Sequence, residues 1–245
     1  MPTAVQLTDV HVDYGPIHAV GDLSLELPTG ASIAIIGPNG SGKSTLLKVI
    51  GGVLEPTSGS CDTFGQSVAI VLQSTDVDKS VPLTVRDVVS MARYPRLGLL
   101  RRPNATDREA VRSAMERLEI DDLANRQIHH LSGGQRQRAF VAQGLAQEAP
   151  ILLLDEPLTG LDVRSRSIIT EVLDDEHAAG RTVVNTTHNF EDASRCDLVL
   201  LMATRFVAFG TPDEVFTEDH LRTAFGGRFV KVGDTMLLDD PHHHH

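Results

Sequence analysis

The chain has no tryptophan, only two tyrosines and two cysteines, and few basic residues for its acidic content. Cys61 and Cys196 stand far apart and outside any C-x-x-C, which excludes a disulfide framework and a cysteine metal cluster and fits a reducing cytosol. The 22 Lys and Arg against 33 Asp and Glu leave a net charge of −11. That balance disfavours a broad grip on nucleic acid or anionic lipid, so no nucleic-acid partner is expected. Arg101-Arg102 and the set Arg126, Arg136 and Arg138 read as local solvated or contact faces. No apolar run is long enough to span a bilayer, since Leu198 to Phe209 is broken by Thr204 and Arg205. Met1 to Val10 lacks the basic region and apolar stretch of a secretory signal. Any work at a membrane therefore requires other chains to cross it.

What is plentiful is glycine, 20 residues, and two strings concentrate it where phosphate would be held. Gly37-Pro38-Asn39-Gly40-Ser41-Gly42-Lys43-Ser44, followed by Thr45, fits G-x-x-x-x-G-K-[ST]. The apolar Ser32 to Ile36 reads as a buried strand before it and Ser44 to Ile50 as the start of a helix after it. Gly37, Gly40 and Gly42 let the loop take conformations a side chain forbids, so successive N–H groups turn inward on a phosphate. The helix N-terminus adds partial positive charge, Lys43 can bridge β- and γ-phosphates, and the Ser44 hydroxyl can ligate Mg²⁺.

A nucleotide bound there needs a carboxylate, and Ile151-Leu152-Leu153-Leu154-Asp155-Glu156 supplies two. The continuous apolar run predicts a strand buried on both faces, with ligands at its carboxyl end. Asp155 is placed to hold Mg²⁺ through its water shell. Alternation along an extended segment turns Glu156 to the opposite side, where it can orient or deprotonate an attacking water.

The second string, Leu131-Ser132-Gly133-Gly134-Gln135, discriminates more sharply. It recurs by chance in about one of several thousand chains, against about one in a hundred for the first. Ser132 and Gln135 form an S-x-x-Q capping box, predicting a helix from here through Gln147 until Pro150 stops it. Two glycines in its first turn leave bare N–H groups for an anion. Elsewhere in the helical stretch, Pro82-Leu83-Thr84 opens a helix to Arg93. Thr106-x-x-Glu109 is expected to cap another, whose apolar positions are Ala110, Val111, Ala114, Met115 and Leu118. Residues 4–36 read as short strands of an antiparallel sheet punctuated by Tyr14-Gly15-Pro16 and Leu27-Pro28-Thr29-Gly30, and residues 151–232 as a parallel α/β core.

Taken together, the two strings and their order resemble the ATP-binding cassette (ABC) family over nearly the whole chain. The resemblance implies a P-loop NTPase fold of the RecA-like α/β class, with an antiparallel β subdomain and an inserted helical subdomain. It implies one domain over residues 1–241, with 1–77 and 148–241 as core and β subdomain and 78–147 as the helical insert. It also identifies Leu131 to Gln135 as the signature that meets the γ-phosphate held by a second copy. Gln73 resembles the Q-loop glutamine on Mg²⁺ and water, Asp162 in Thr159-Gly160-Leu161-Asp162 the D-loop at the dimer seam, His188 the switch histidine, and Tyr14 the aromatic stacked on adenine.

ATP and Mg²⁺ are the cofactors this implies, and the partners are a second copy, integral membrane permease subunits and, indirectly, a solute-binding protein. The chain would sit in the cytoplasm, peripheral on the inner face of the plasma membrane. Val81 to Asp87, Arg93-Tyr94-Pro95, Leu97 to Pro103 and the tail Leu221 to Gly227 are similar to importers of manganese, zinc or iron ions and, close behind, iron chelates. A soluble, non-transport ABC ATPase would share every nucleotide motif. His242 to His245 reads as the remnant of a purification tag, with a natural His-rich tail as the alternative, and is left out of metal-site reasoning.

Overall fold

The structure is a computed structural model that describes residues 2–73, 82–97 and 102–226 and two further strand backbones near the C-terminus. Along the chain run β1 (Thr3–Tyr14), β2 (Ile17–Pro28), β3 (Ser32–Ile36), α1 (Lys43–Ile50), β4 (Ser58–Asp62) and β5 (Val68–Val71). Next come α2 (Val85–Ser90), α3 (Tyr94–Leu97), α4 (Ala105–Arg117), α5 (Gly133–Ala146), β6 (Ile151–Leu154), α6 (Val163–Ala178) and β7 (Thr182–Thr187). The chain continues through α7 (Phe190–Ser194), β8 (Leu198–Met202), β9 (Phe206–Gly210), α8 (Pro212–Val215) and α9 (Glu218–Phe225) to the hairpin β10 (Phe229–Val232) and β11 (Thr235–Leu238). Of the expectations above, those on Val81, Gly98 to Arg101, Gly227, His242 to His245 and the boundary at 77/78 lie outside the described residues.

The central sheet has the order β5-β6-β7-β3-β8-β9, parallel except for the edge strand β9. β6 and β7 are buried at every position, as strands covered on both faces must be, which explains the unbroken apolar run of β6 and the β-branched run of β7, interrupted at Asn185. β3, β7 and β6 are neighbours, so their carboxyl ends open side by side, where ligands of such sheets bind.

The antiparallel sheet is made of β2, β1 and β4. This corrects the expectation for residues 4–36 in two ways. β1 and β2 are 12 residues each rather than short. Ser32–Ile36 belongs to the central sheet, because Ile33 to Ile36 are buried on both faces while β1 and β2 alternate. β4, the polar Ser58-Gly59-Ser60-Cys61-Asp62, carries no apolar periodicity that would have announced it.

In the helical block, Thr84 and Asp87 form a reciprocal capping box at the start of α2, and a 3₁₀ turn, Met91–Arg93, extends it to the expected end. The cap of α4 lies two residues earlier than expected. Asn104 accepts from the Asp107 N–H at 2.9 Å and donates its own N–H to Asp107 at 3.0 Å, while Thr106 sits inside the helix. The buried Arg93 decides this register, since its Nε donates to the other Asp107 oxygen at 3.0 Å and its Nη1 reaches the Ala146 carbonyl at 2.8 Å and Glu148 at 2.7 Å. One guanidinium thereby ties α2, α4 and the end of α5 together. Val111, Ala114, Met115 and Leu118 are buried as expected, and Ala110 is half-buried. No helix among the described residues is long and apolar enough to cross a membrane.

Candidate nucleotide site

The loop from Gly37 to Ser44 leaves β3 and enters α1. Gly42 caps that helix at φ +91°, and a Cβ there would stand 2.1 Å from the Ala19 carbonyl of β2. Gly37 is needed for a different reason than expected: its φ is not left-handed, but a Cβ would lie 2.1 Å from the Met202 carbonyl at the end of β8. The loop is thus wedged between β2 and β8, and its backbone is held by bonds from Ser41 N–H to the Pro38 carbonyl (3.1 Å) and from Thr204 N–H to the Ser41 carbonyl (3.1 Å). A Cβ on Gly40 (φ +79°) would meet nothing, so the loop is open at that point. The Ser41 hydroxyl is buried and has no hydrogen-bond partner among the described residues.

Lys43 is buried, and its Nζ donates to the carbonyls of Gly37 (2.9 Å) and Pro38 (3.0 Å). Burial holds its pKa below the usual lysine value, opposed by the charges of Glu156 and Asp155. Ser44 donates through Oγ to Asp155 Oδ1 at 2.9 Å. Thr186 on β7 donates to that same oxygen at 2.7 Å and accepts from the Glu156 N–H at 2.8 Å. A hydroxyl of the loop and the carboxylate just after β6 therefore meet, and this oxygen pair has the hard-donor chemistry that suits Mg²⁺. Thr186 was not singled out in the sequence. Its hydroxyl inside the β-branched run of β7 was the signal, but only the β6–β7 pairing shows what it touches.

Glu156 corrects the argument from alternation. β6 ends at Leu154, and Glu156 has φ +48°, a left-handed conformation costing a non-glycine residue about 1–2 kcal/mol. The turn out of the strand, not strand alternation, sets its direction, and its carboxylate comes within 3.7 Å of His188 Nδ1. His188, one residue past β7, is exposed. Gln73 lies two residues beyond the Val71 carbonyl that accepts from the Asp155 N–H at 2.8 Å. It is exposed, and among the described residues it makes no hydrogen bond to Asp155 or Ser44. Tyr14 ends β1 and is exposed, with no hydrogen bond to the loop among the described residues.

At the second string, the Ser132 Oγ accepts from the Gln135 N–H (3.2 Å) and the Gln135 side chain accepts from the Ser132 N–H (3.1 Å), the expected capping box at the start of α5. The two glycines have different jobs. Gly133 is exposed with open space around a would-be Cβ, whereas a Cβ on Gly134 would lie 2.4 Å from Ser165 Oγ and 2.7 Å from Asp162 Oδ2. Asp162 caps α6, accepting from the Ser165 N–H and hydroxyl, each at 2.9 Å, and these bonds hold its carboxyl below the usual range. Among the described residues, no hydrogen bond or ion pair joins residues 37–44 to residues 132–135.

A family model described as "ABC transporter" matches residues 20–159, which include the phosphate loop, the signature string and the carboxylates after β6. The chain belongs to the ABC transporter family. Its ATPase cassette is 39% identical over 243 residues to a manganese transport system ATP-binding protein of Bacillus subtilis, covering 96% of this chain and 97% of the other. It is likewise 39% identical over 233 residues to a zinc transport system ATP-binding protein of Treponema pallidum, covering 92% and 88%. Among solved structures, the ABC cassette resembles one in a transporter described as of metal-chelate type, in an inward-facing conformation, with a TM-score of 0.82 at 28% identity over 96% and 95% of the chains. It also resembles a dimeric cassette bound to ADP and Pi after hydrolysis, with a TM-score of 0.73 at 25% identity over 85% and 98%.

Proposed function

We propose that two copies of this chain sandwich two ATP molecules and energise the uptake of a metal ion through separate integral membrane permease subunits, on the cytoplasmic face of the membrane. A solute-binding protein would deliver the ion from outside. Relatives named for manganese and for zinc transport support metal-ion uptake. Chelate uptake is the second reading, favoured by the likeness to a metal-chelate type transporter.

In this reading Tyr14 stacks on adenine, and the N–H groups of Gly37 to Thr45 surround the phosphates. Lys43 swings from its loop carbonyls to bridge the β- and γ-phosphates. Ser44, Gln73 and Asp155 would hold Mg²⁺, whose charge neutralises phosphate oxygens. Glu156 accepts a proton from the water that attacks the γ-phosphorus, the bond to the bridging oxygen breaks, and ADP leaves with that oxygen. His188, 3.7 Å from Glu156, contacts the γ-phosphate. The second copy's Ser132 to Gln135 completes the site, with Asp162 at the seam. The exposed Val163 beside Asp162 gives that seam an apolar contact. Because the signature meets the γ-phosphate only while it is attached, ATP rather than ADP favours closure.

The observation that carries the reading is the single Asp155 oxygen shared by Ser44 of the phosphate loop and Thr186 of β7, with Glu156 next to it. The Glu156→Gln variant tests it, because the amide keeps the shape but cannot take the proton. Phosphate release should fall about 10²-fold or more while ATP binding survives and ATP-dependent dimers accumulate on size exclusion. Near-normal turnover removes Glu156 from this role.

A further inference from the structure

Outside the residues assigned to the nucleotide, the hairpin of β1 and β2 carries an imidazole, a carboxylate and a second imidazole side by side. His11 and Asp13 are two residues apart on β1 and so share a face, while Asp13 pairs across the ladder with His18 of β2. The register shifts between Val12 and Asp13, a bulge of the kind that re-aims side chains. His11 Nε2 lies 3.1 Å from Asp13 Oδ2, and His18 Nδ1 lies 2.6 Å from Asp13 Oδ1. One ligand atom from each residue falls within 4.8 Å of the others. Three donors held about 2.0–2.2 Å from Zn²⁺ in a tetrahedral shell stand about 3.4 Å apart. The two contacts to Asp13, 3.1 and 2.6 Å, are shorter than that spacing, so an ion needs the rings to move outward by less than about 1 Å, and the exposed His18 ring is free to make the adjustment.

Two further features go beyond an ordinary surface ion pair. A neutral imidazole has one N–H, yet both nitrogens of His11 face carboxylates, Nε2 toward Asp13 and Nδ1 toward Asp22 Oδ1 at 3.6 Å. A metal cation between Nε2 and Asp13 would take the Nε2 lone pair and leave Nδ1–H directed at Asp22, the outer carboxylate that metal-binding histidines commonly use. The ligand-bearing stretch is also anchored from outside the hairpin. Thr57 N–H donates to the His11 carbonyl at 2.7 Å, and the Asp13 N–H donates to the Thr57 hydroxyl at 2.9 Å.

We propose that His11, Asp13 and His18 bind a divalent transition-metal ion, with Asp22 orienting His11 and water completing the shell. Two imidazoles and one carboxylate suit Zn²⁺ rather than Mg²⁺, which prefers oxygen alone, so this site is chemically distinct from the one at Ser44 and Asp155. The bound ion would clamp both sides of the turn Tyr14 to Ile17.

Equilibrium dialysis of the full, nucleotide-free chain against micromolar free Zn²⁺ tests this, with His242 to His245 present in every variant. The unaltered chain should retain one equivalent more than the His11→Ala/His18→Ala double variant. Asp22→Asn should weaken that equivalent about 10- to 100-fold. His18→Cys abolishes the imidazole–carboxylate contact but supplies a thiolate, so it should keep the extra Zn²⁺. Equal Zn²⁺ in the unaltered and doubly substituted chains, both folded by circular dichroism, overturns the site. If the double variant does not fold, His18→Cys decides, and loss of the equivalent there overturns it as well.

Discussion

Lys43 and His188 both present nitrogen to the γ-phosphate in the proposed mechanism, but their settings differ. Lys43 is buried and already donates to two loop carbonyls, so phosphate oxygens would replace acceptors it has in hand. His188 is exposed and touches Glu156 only at 3.7 Å. Lys43→Ala should therefore weaken ATP binding, since a charge-assisted contact is worth about 1.5–3 kcal/mol, or roughly 10- to 150-fold in affinity. His188→Ala should leave most of the affinity and lower turnover. Titration of a fluorescent ATP analogue beside steady-state phosphate release separates the two, and equal losses of affinity would make His188 one more phosphate anchor. Glu156 shows how a residue's role can depend on one dihedral angle. Its φ of +48° turns a strand-end carboxylate toward His188. Burial likewise explains why the two thiols stay out of the chemistry: it pushes Cys61 up to about 11 and Cys196 to about 12, leaving little thiolate at neutral pH.

At the scale of an element, α5 begins as two things at once, a packed helix end and an open one. Gly134 is closed in by Ser165 and Asp162 of α6, while Gly133 faces open space. Gly134→Ala should force α5 and α6 apart and lower the midpoint of thermal unfolding. Gly133→Ala should leave that midpoint unchanged or raise it slightly, as alanine is the better helix former. If Gly133 meets the γ-phosphate held by a second copy, its added methyl group should nevertheless slow ATP hydrolysis. Calorimetry and a phosphate-release assay on the same two variants check both halves. Unchanged hydrolysis in Gly133→Ala would argue that the open end of α5 meets no ligand.

For the whole molecule, the question is whether one chain contains a complete site. No hydrogen bond or ion pair among the described residues links the phosphate loop to the signature string. Mixing a Lys43→Ala chain with a Ser132→Arg chain should, if sites are shared, leave each mixed dimer one intact site, built from the second chain's Lys43 and the first chain's Ser132. Placing both changes in one chain and mixing it with unaltered protein should leave none. After correction for homodimers, ATP-dependent closure, read as crosslinking yield, should be higher in the first mixture. The reverse order would mean that each chain completes its own site.

The sequence alone determined the family and the local structures that its short strings build. Ser132 with Gln135, Gly42 before Lys43, and an apolar run ending in Asp155 each encode their local structure within a few residues, because helix caps, tight loops and strand ends are short-range structures. The tertiary structure decided whatever depends on residues distant in the chain. Asn104 rather than Thr106 caps α4, because Arg93 holds Asp107 from another helix. Ser32–Ile36 leaves the antiparallel sheet because β7 and β8 cover its flanks. Thr186 reaches Asp155 only because β7 pairs with β6 across 31 residues of sequence, and Gly134 must be glycine only because α6 lies against it. Local strings name the groups, while burial and strand pairing decide which of them meet.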